Sequence, residues 1–300
     1  MKHFPHPPRS KGIHIVTRPI SSHYGLGLFT ARKRHLFILP WRGHSLIGTT
    51  DTEYSGDPDK VAVTRSDIDH LLTELNQTYP GAKLSVDDIL FAYAGLRPIV
   101  EQEVETVYDA SRRYEIYDHE KDAGLKGLIT VIGGKYTTSR HLAEKVVTLI
   151  YKKLGKPQAA CRTSGTSLYG GGIGALPEYI RDVTKNPPFD LPSSTSEHLI
   201  HMYGTAHKEL FSLLHSNPQG LTPICDGQPD IQVQIDYSVE NEMCMTLKDL
   251  LLRRTGIGTL GNPGEKCVHL CAERMKTLHD WSAKRMDREI ETFYQQISIY

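Results

Sequence analysis

The sequence predicts an α+β fold in which an antiparallel sheet with a few helices precedes an all-α region. Three patterns carry that expectation. Residues 12–55 hold short apolar runs separated by Gly, Pro and charged turns. From Thr64 onward apolar residues recur at helical spacing in isolated stretches, and beyond about Ser194 the helical period is almost unbroken.

GIHIVTRPI, LGLFTA, HLFILPW and SLIGTTDTEY are expected to form the strands of a meander. The cluster Arg32 to His35 then falls at a solvated turn between two of them. In TRSDIDHLLTELNQTYP, Ile68, Leu71, Leu72 and Leu75 share one helix face behind a cap at Thr64 or Ser66, and Pro80 and Gly81 end the helix. SVDDILFAYA fits a second short helix that turns abruptly at GLRPIV. YEIYDH and LITVIGG are strand-like, and TTSRHLAEKVVTLIYKKLG is helical, with Leu142, Val146, Val147 and Ile150 on one face and Gly155 closing it. Lys156 to about Ser194 is rich in Gly, Pro, Ser and Thr and has the character of a connecting segment. The regions expected are therefore 1–116, 117–155, 156–193 and a helical 194–300. Within the last, Thr246 and Asp249 cap a helix whose Leu247, Leu250 and Leu251 suit one buried face. Arg253 and Arg254 precede Gly256 as a helix's last turn prefers, contact with anionic lipid being the alternative role for that pair.

Composition narrows the function. Of 300 residues 39% are hydrophobic, enough for a sizeable core. Lys plus Arg and Asp plus Glu number 35 each, which removes a global electrostatic attraction to nucleic acid or membrane. No apolar run reaches the ~18 residues that a membrane span requires. The five cysteines (Cys161, Cys225, Cys244, Cys267, Cys271) are scattered, and MKHFPHPPRSKG has no apolar signal core, so free thiols in a reducing cytoplasm are expected. Cys267 and Cys271 with His269 between them suit a core helix better than zinc, because no second ligand pair follows, and no metal site is expected.

Two motifs point to chemistry. In LITVIGG-KYTTSRHLAEKV, Gly133 and Gly134 let the backbone approach a ligand, and Thr137 or Thr138 can cap the helix that follows. The helix N-terminus and Lys135 would face an anion or an electron-rich ring, the alternative being a Gly-rich turn before an ordinary surface helix. In AGLRPIV, Arg97 stands between Gly95 and Pro98 on a constrained turn, prepared for a carboxylate or phosphate or held in a structural ion pair. Arg112 and Arg113 head a strand on opposite faces, so one of them can converge with Arg97.

GIHIV, the PW pair, IGTTDTEYSGDP, AGLRP, SR-x-YEI, GLITVIGGKYTTSRHLAEK and YSVENEMCMTLKDLLLRRTGIG stand in an order and spacing that resembles the FAD-dependent glycerol-3-phosphate dehydrogenases, within the D-amino-acid-oxidase-like flavoproteins, from about residue 11 to 285. The resemblance implies that 1–116 is a substrate-binding domain, that 117–155 is the last part of an FAD-binding fold, and that 194–300 is the family's helical C-terminal domain. It implies oxidation of sn-glycerol 3-phosphate to dihydroxyacetone phosphate, with electrons passed to a quinone or another acceptor. Carried over residue by residue, it implies Arg97, Arg112 and Lys135 around the substrate, His14 with Arg97 at the reacting centre as an acid/base candidate, and Gly133, Gly134, Lys135, Tyr136, Thr137 and Thr138 against the flavin. The family often has Leu or Trp at the position of Tyr136 and Asp at that of Arg113, which leaves the Tyr136 side chain and Arg113 without a role. A cytoplasmic protein is implied, with peripheral contact at the inner membrane face and homodimerisation left open, and with no nucleic-acid partner.

The family's G-x-G-x-x-G loop, whose glycines admit the FAD pyrophosphate to a helix N-terminus, is missing. Gly170 to Gly174 follow no apolar strand, and Gly25-Leu26-Gly27 lacks a third glycine. The chain thus resembles a C-terminal, truncated portion, which alone is expected not to hold FAD tightly. Two alternatives stay open: a non-catalytic half that docks on a separate FAD-binding half, and an amine or amino-acid oxidase in which Arg97 binds a carboxylate.

Overall fold

The computed structural model describes residues 9–21, 24–31, 33–98, 114–187 and 189–298. The chain divides into two compact units between Thr166 and Ser167.

The first unit is built on β1 (Arg9–Thr17), β2 (Leu26–Phe29), β3 (His35–Trp41), β4 (His44–Gly48), β5 (Thr52–Tyr54), α1 (Arg65–Thr78) and β6 (Ile89–Pro98). The expected meander is present only in part: β2, β3 and β4 follow one another in an antiparallel sheet, but β1 joins it beyond β4 and not beside β2. β1 is its centre, with β4 and β5 along one edge and β6 along the full length of the other. Alternation then sorts the side chains. Ile15, Ile47 and Ile38 lie in one row across three strands, and all three are fully buried. Lys11, on the same face as Ile15, makes a 2.7 Å ion pair with Asp67 of α1, while Ile68, Leu71, Leu72 and Leu75 of α1 are buried. Each such side chain contributes about 1.5–3 kcal/mol. Of the two cap positions expected, Thr64 is the one used, in a reciprocal capping box with Asp67.

One expectation fails here. SVDDILFAYA is not a helix: Ser85 and Asp88 close a single 3₁₀ turn at Val86–Asp88, and β6 starts at Ile89. Helical spacing and a strand's alternation are hard to separate over so short an apolar run, and pairing along the whole of β1 decides for the strand. Arg97 accordingly sits within a strand and not on a turn.

Past the undescribed stretch, β7 (Tyr114–Asp118), α2 (His119–Ala123), β8 (Ile129–Gly133) and α3 (Ser139–Lys153) follow, with β7 and β8 forming a separate antiparallel pair. Helix α3 has no buried residue.

The second unit is helical, as expected: α4 (Leu176–Lys185), α5 (Ser193–Tyr203), α6 (His207–Ser216), α7 (Val233–Asn241), α8 (Glu265–His279) and α9 (Ala283–Ile297). Two clusters form its core. One gathers Leu199, Leu210, Leu214, Val233 and Tyr237; the other gathers Leu247, Leu250, Leu251, Val268, Cys271 and Phe293. Helix α4 lies inside the stretch read as connecting, and Gly170 from the same stretch lies against Gly204, its carbonyl accepting the Thr205 N–H at 3.0 Å. Thr246 and Asp249 cap one another through the Thr246 hydroxyl and the Asp249 carboxylate, but the turn they start is π-helical over 249–254. Arg253 pairs with Asp249 at 2.6 Å and Arg254 with Glu242 at 3.6 Å, so both arginines have protein partners. Cys267 and Cys271 are buried in α8 as the core-helix reading requires. The expectation of free thiols is corrected at one place, since Cys225 and Cys267 form a disulfide. That pairing joins residues 42 apart in sequence, a proximity that no spacing rule reveals.

Candidate functional site

The face of the sheet opposite the isoleucine row carries the candidate chemistry. Antiparallel register pairs Ser10 with Arg97, Gly12 with Gly95 and His14 with Tyr93. Paired residues share a face. The floor between the Arg97 end and the His14 end is therefore made of two glycines. Among the described residues no atom outside its chain neighbours lies within 4 Å of where a Gly95 Cβ would be, whereas a Cβ on Gly12 would meet the Arg97 Nη2 at 2.3 Å. The guanidinium is thus laid over Gly12, toward His14.

Several groups fix that guanidinium. Nη2 donates to Thr49 Oγ1 at 2.7 Å, and Nη1 to the Thr50 carbonyl at 3.3 Å and to Ser10 Oγ at 3.4 Å. Asp51, its side chain only 7% exposed, lies 3.9 Å from Nη1 and accepts a short hydrogen bond from Ser10. A buried carboxylate thus stands beside a partly exposed guanidinium, and a guanidinium held in this way is a group suited to an anion.

His14 is held from two sides. Its ring stacks on Tyr93 with centroids 5.2 Å apart and planes 9° off parallel. On the other flank, a Cβ on Gly48 would lie 2.3 Å from His14 Cδ2, so only glycine permits the ring there. Burial and then the Arg97 charge lower the His14 pKa from its ordinary value, which keeps the imidazole neutral and able to accept a proton. The same row continues through Gly48 to Phe37 of β3. Phe37, Leu39 and Trp41 alternate on this side of β3 and remain 45%, 42% and 37% exposed, an apolar margin to the two polar ends.

The second motif forms a separate feature. Gly133 and Gly134 have φ of +79° and +99°, the region that glycine adopts most readily. Lys135 is extended, Tyr136–Thr138 form a 3₁₀ turn, and α3 begins at Ser139. The expectation that Thr137 or Thr138 caps the helix is met in position and not in bonding. Thr138 holds the cap position, but its hydroxyl donates back to the Lys135 carbonyl at 3.1 Å, because the extra 3₁₀ turn places that acceptor closer. Lys135, Tyr136, Thr137 and Thr138 are all exposed, so this backbone is open to a ligand at one edge. Such a turn suits one end of a flavin.

His14 and Arg97 thus come together on one sheet face, and Gly133 to Thr138 close the neighbouring pair of strands, whose β8 lies beside β6. Arg112 and Arg113 lie outside the described residues. Tyr93, Thr49, Asp51 and the paired glycines were not found from the sequence. Their signal is the strand register, which becomes visible only once ILFAYAGLRP is known to be a strand. Among the described residues no group of three or more His, Cys, Asp or Glu could hold a metal ion, and no helix is long and apolar enough to cross a membrane.

Comparison with known proteins finds relatives along most of the chain. Residues 2–140 match the family model described as FAD dependent oxidoreductase, and 161–286 match the C-terminal domain of alpha-glycerophosphate oxidase. A glycerol-3-phosphate dehydrogenase of Synechocystis is 32% identical over 292 residues, which cover 95% of this chain and 52% of that protein. The aerobic glycerol-3-phosphate dehydrogenase of Staphylococcus aureus is 31% identical over 264 residues, 82% of this chain and 45% of that one. The crystal structure of a glycerol-3-phosphate dehydrogenase from Bacillus halodurans, complexed with FAD, shares the fold with a TM-score of 0.78 at 24% identity, over 97% of this chain and 57% of that one. The chain spans about half the length of the relatives it matches.

Proposed function

We propose that this chain, a relative of the FAD-dependent glycerol-3-phosphate dehydrogenases along most of its length, supplies the substrate-binding face on which sn-glycerol 3-phosphate is oxidised to dihydroxyacetone phosphate. The observation that carries the reading is the arrangement of Arg97 and His14 over the glycine floor. The guanidinium lies over Gly12, and His14 is the next residue on that face, about 7 Å farther along the strand. A three-carbon phosphate ester fits that span, its phosphate on Arg97 and its secondary hydroxyl at the imidazole.

In this reading Arg97 holds the phosphate with charge-assisted hydrogen bonds, joined by Arg112 and Lys135. The neutral His14 accepts the hydroxyl proton at C2. FAD, when bound, supplies the acceptor for the hydride that leaves the same carbon. Backbone N–H groups between Gly133 and Thr138 steady the flavin edge where negative charge gathers. The electrons then pass to a quinone or another acceptor. An amino-acid oxidase would place a carboxylate on Arg97, and a choice of substrates in the assay separates the two.

A specific observation favours a second element of the proposal, namely that the chain works docked on an FAD-binding half. Val147, Ile150 and Leu154 of the α3 region, with Leu125, Leu128 and Val131 before it, are all more than a third exposed. Apolar surface so close to a flavin-type turn suits a covering domain.

The test is spectroscopic. The purified chain is expected to be colourless, and the chain combined with the N-terminal half of a relative to be yellow. That colour should bleach anaerobically on addition of glycerol 3-phosphate and not on addition of amino acids. A yellow assembly that glycerol 3-phosphate leaves unbleached would overturn the reading.

A further inference from the structure

We propose that Tyr93 is the positioning residue for His14: its ring forms one wall of a slot, with the Gly48 backbone as the other, and this slot fixes the imidazole plane on the sheet face that also carries Gly95 and Arg97. The inference rests on the reading of His14 as the proton acceptor, but the slot itself rests on geometry alone.

Cross-strand register puts Tyr93 directly opposite His14 on one side, and Gly48 opposite it on the other. The rings are nearly parallel, at 9°, with centroids 5.2 Å apart, an offset stack. The missing Cβ of Gly48 is what allows the imidazole to lie flat there. With both faces occupied, the ring keeps freedom only in its own plane. Gly95 lies on the same sheet face, and among the described residues no atom outside its chain neighbours comes within 4 Å of where its Cβ would stand. Tyr93 itself is 41% exposed, more than a residue needed only for core packing would be. It is also next on its own strand face to Gly95, with Arg97 beyond, so the strand delivers the wall, the empty floor and the anion-binding end in sequence.

Two properties of His14 follow from the wall: its orientation, and part of the burial that with the Arg97 charge keeps it neutral. Both should depend on an aromatic ring at position 93 and not on its hydroxyl. The experiment uses the 300-residue chain labelled with ¹³C at histidine. The His14 ring signal is identified by its disappearance in His14→Gln and followed through a pH titration in the parent chain, Tyr93→Phe and Tyr93→Ala. In the parent and in Tyr93→Phe the His14 signal should be displaced by the neighbouring ring current and titrate below the ordinary histidine range. In Tyr93→Ala the displacement should vanish and the midpoint rise by about 0.5 pH unit or more. If Tyr93→Ala does not fold, Tyr93→Leu, which fills similar volume without a ring, should lose the ring-current displacement in the same way. A His14 midpoint and chemical shift unchanged in Tyr93→Ala or Tyr93→Leu, or altered equally in Tyr93→Phe, would overturn the proposal. Addition of glycerol 3-phosphate to the parent separates the two layers. A His14 signal that ignores this ligand counts against the functional reading, while the titration decides on the slot.

Discussion

Helices α1 and α3 are nearly equal in length, 14 and 15 residues, and each carries apolar side chains at three- and four-residue spacing. Four residues of α1 are buried, and its Asp67 is tied to the sheet through Lys11. In α3 no residue is buried, and Val147 stays 48% exposed. Periodicity therefore states which face of a helix seeks cover and leaves open what covers it. The difference also separates two settings: α1 supports the sheet from behind so that His14 and Arg97 can face outward, whereas α3 keeps apolar side chains exposed.

The sharpest way to break this comparison is truncation in each helix. Leu71→Ala should lower the unfolding free energy of the first unit by about 2–5 kcal/mol, because it opens a cavity in a closed core. Val147→Ala should cost less than about 0.5 kcal/mol in the chain alone. Urea unfolding of both variants measures this, and comparable losses would show that the α3 face is already covered.

Next in size are the arginines of the exposed face. In an FAD-loaded assembly, Arg97→Ala and Arg112→Ala should each cost about 1.5–3 kcal/mol of transition-state stabilisation, roughly ten- to a hundredfold in kcat/KM for glycerol 3-phosphate. Arg113→Ala should change little. Steady-state kinetics decide, and equal losses at Arg112 and Arg113 would show the choice between them to be wrong.

The helical unit sharpens the contrast, since it holds its own cores. Limited proteolysis between Lys156 and Thr166 should release a fragment starting near Ser167 that keeps helical circular dichroism and a cooperative melt. A fragment unfolded by itself would mean that this unit, like α3, depends on a neighbour.

The smallest expected effect is a pH dependence. Burial and the Arg97 charge depress the His14 pKa in the folded chain, so the unfolded chain binds the proton more readily. His14 accordingly contributes stability above the unfolded value of about 6.5, and loses it as pH falls through that value toward the lower folded one. The parent chain should weaken slightly more than His14→Gln between neutral pH and pH 5, as read by thermal melts. Parallel behaviour of the two would show that the ring is not sheltered.

Much of this was legible in the sequence. The β2–β4 meander, the Thr64 cap and the helical second unit follow from local pattern, and GGKYTT marks its turn by glycine chemistry. Arg97 was singled out for the wrong local reason, as a turn residue, because the apolar run before it has no decisive period. Its partners Thr49 and Asp51 lie more than forty residues upstream, and only register brings them near. The Cys225–Cys267 pairing and the role of Gly48 are likewise products of long-range contact, which local patterns do not encode.

The crossing of Gly170 over Gly204 bears on mutational tolerance. A Cβ at 170 would lie 2.6 Å from the Tyr203 carbonyl oxygen, and one at 204 would lie 2.0 Å from that of Gly170, with both residues at positive φ. In a saturation library, the surrounding run from Cys161 to Gly174, exposed over nearly all its length, should accept most replacements. Position 170, where positive φ and a backbone clash coincide, should stand out within it as the most restricted column, matched by one at 204 on a distant segment. Two such columns, linked by no feature of the local sequence, would reveal where the chain clasps itself before any coordinates were consulted.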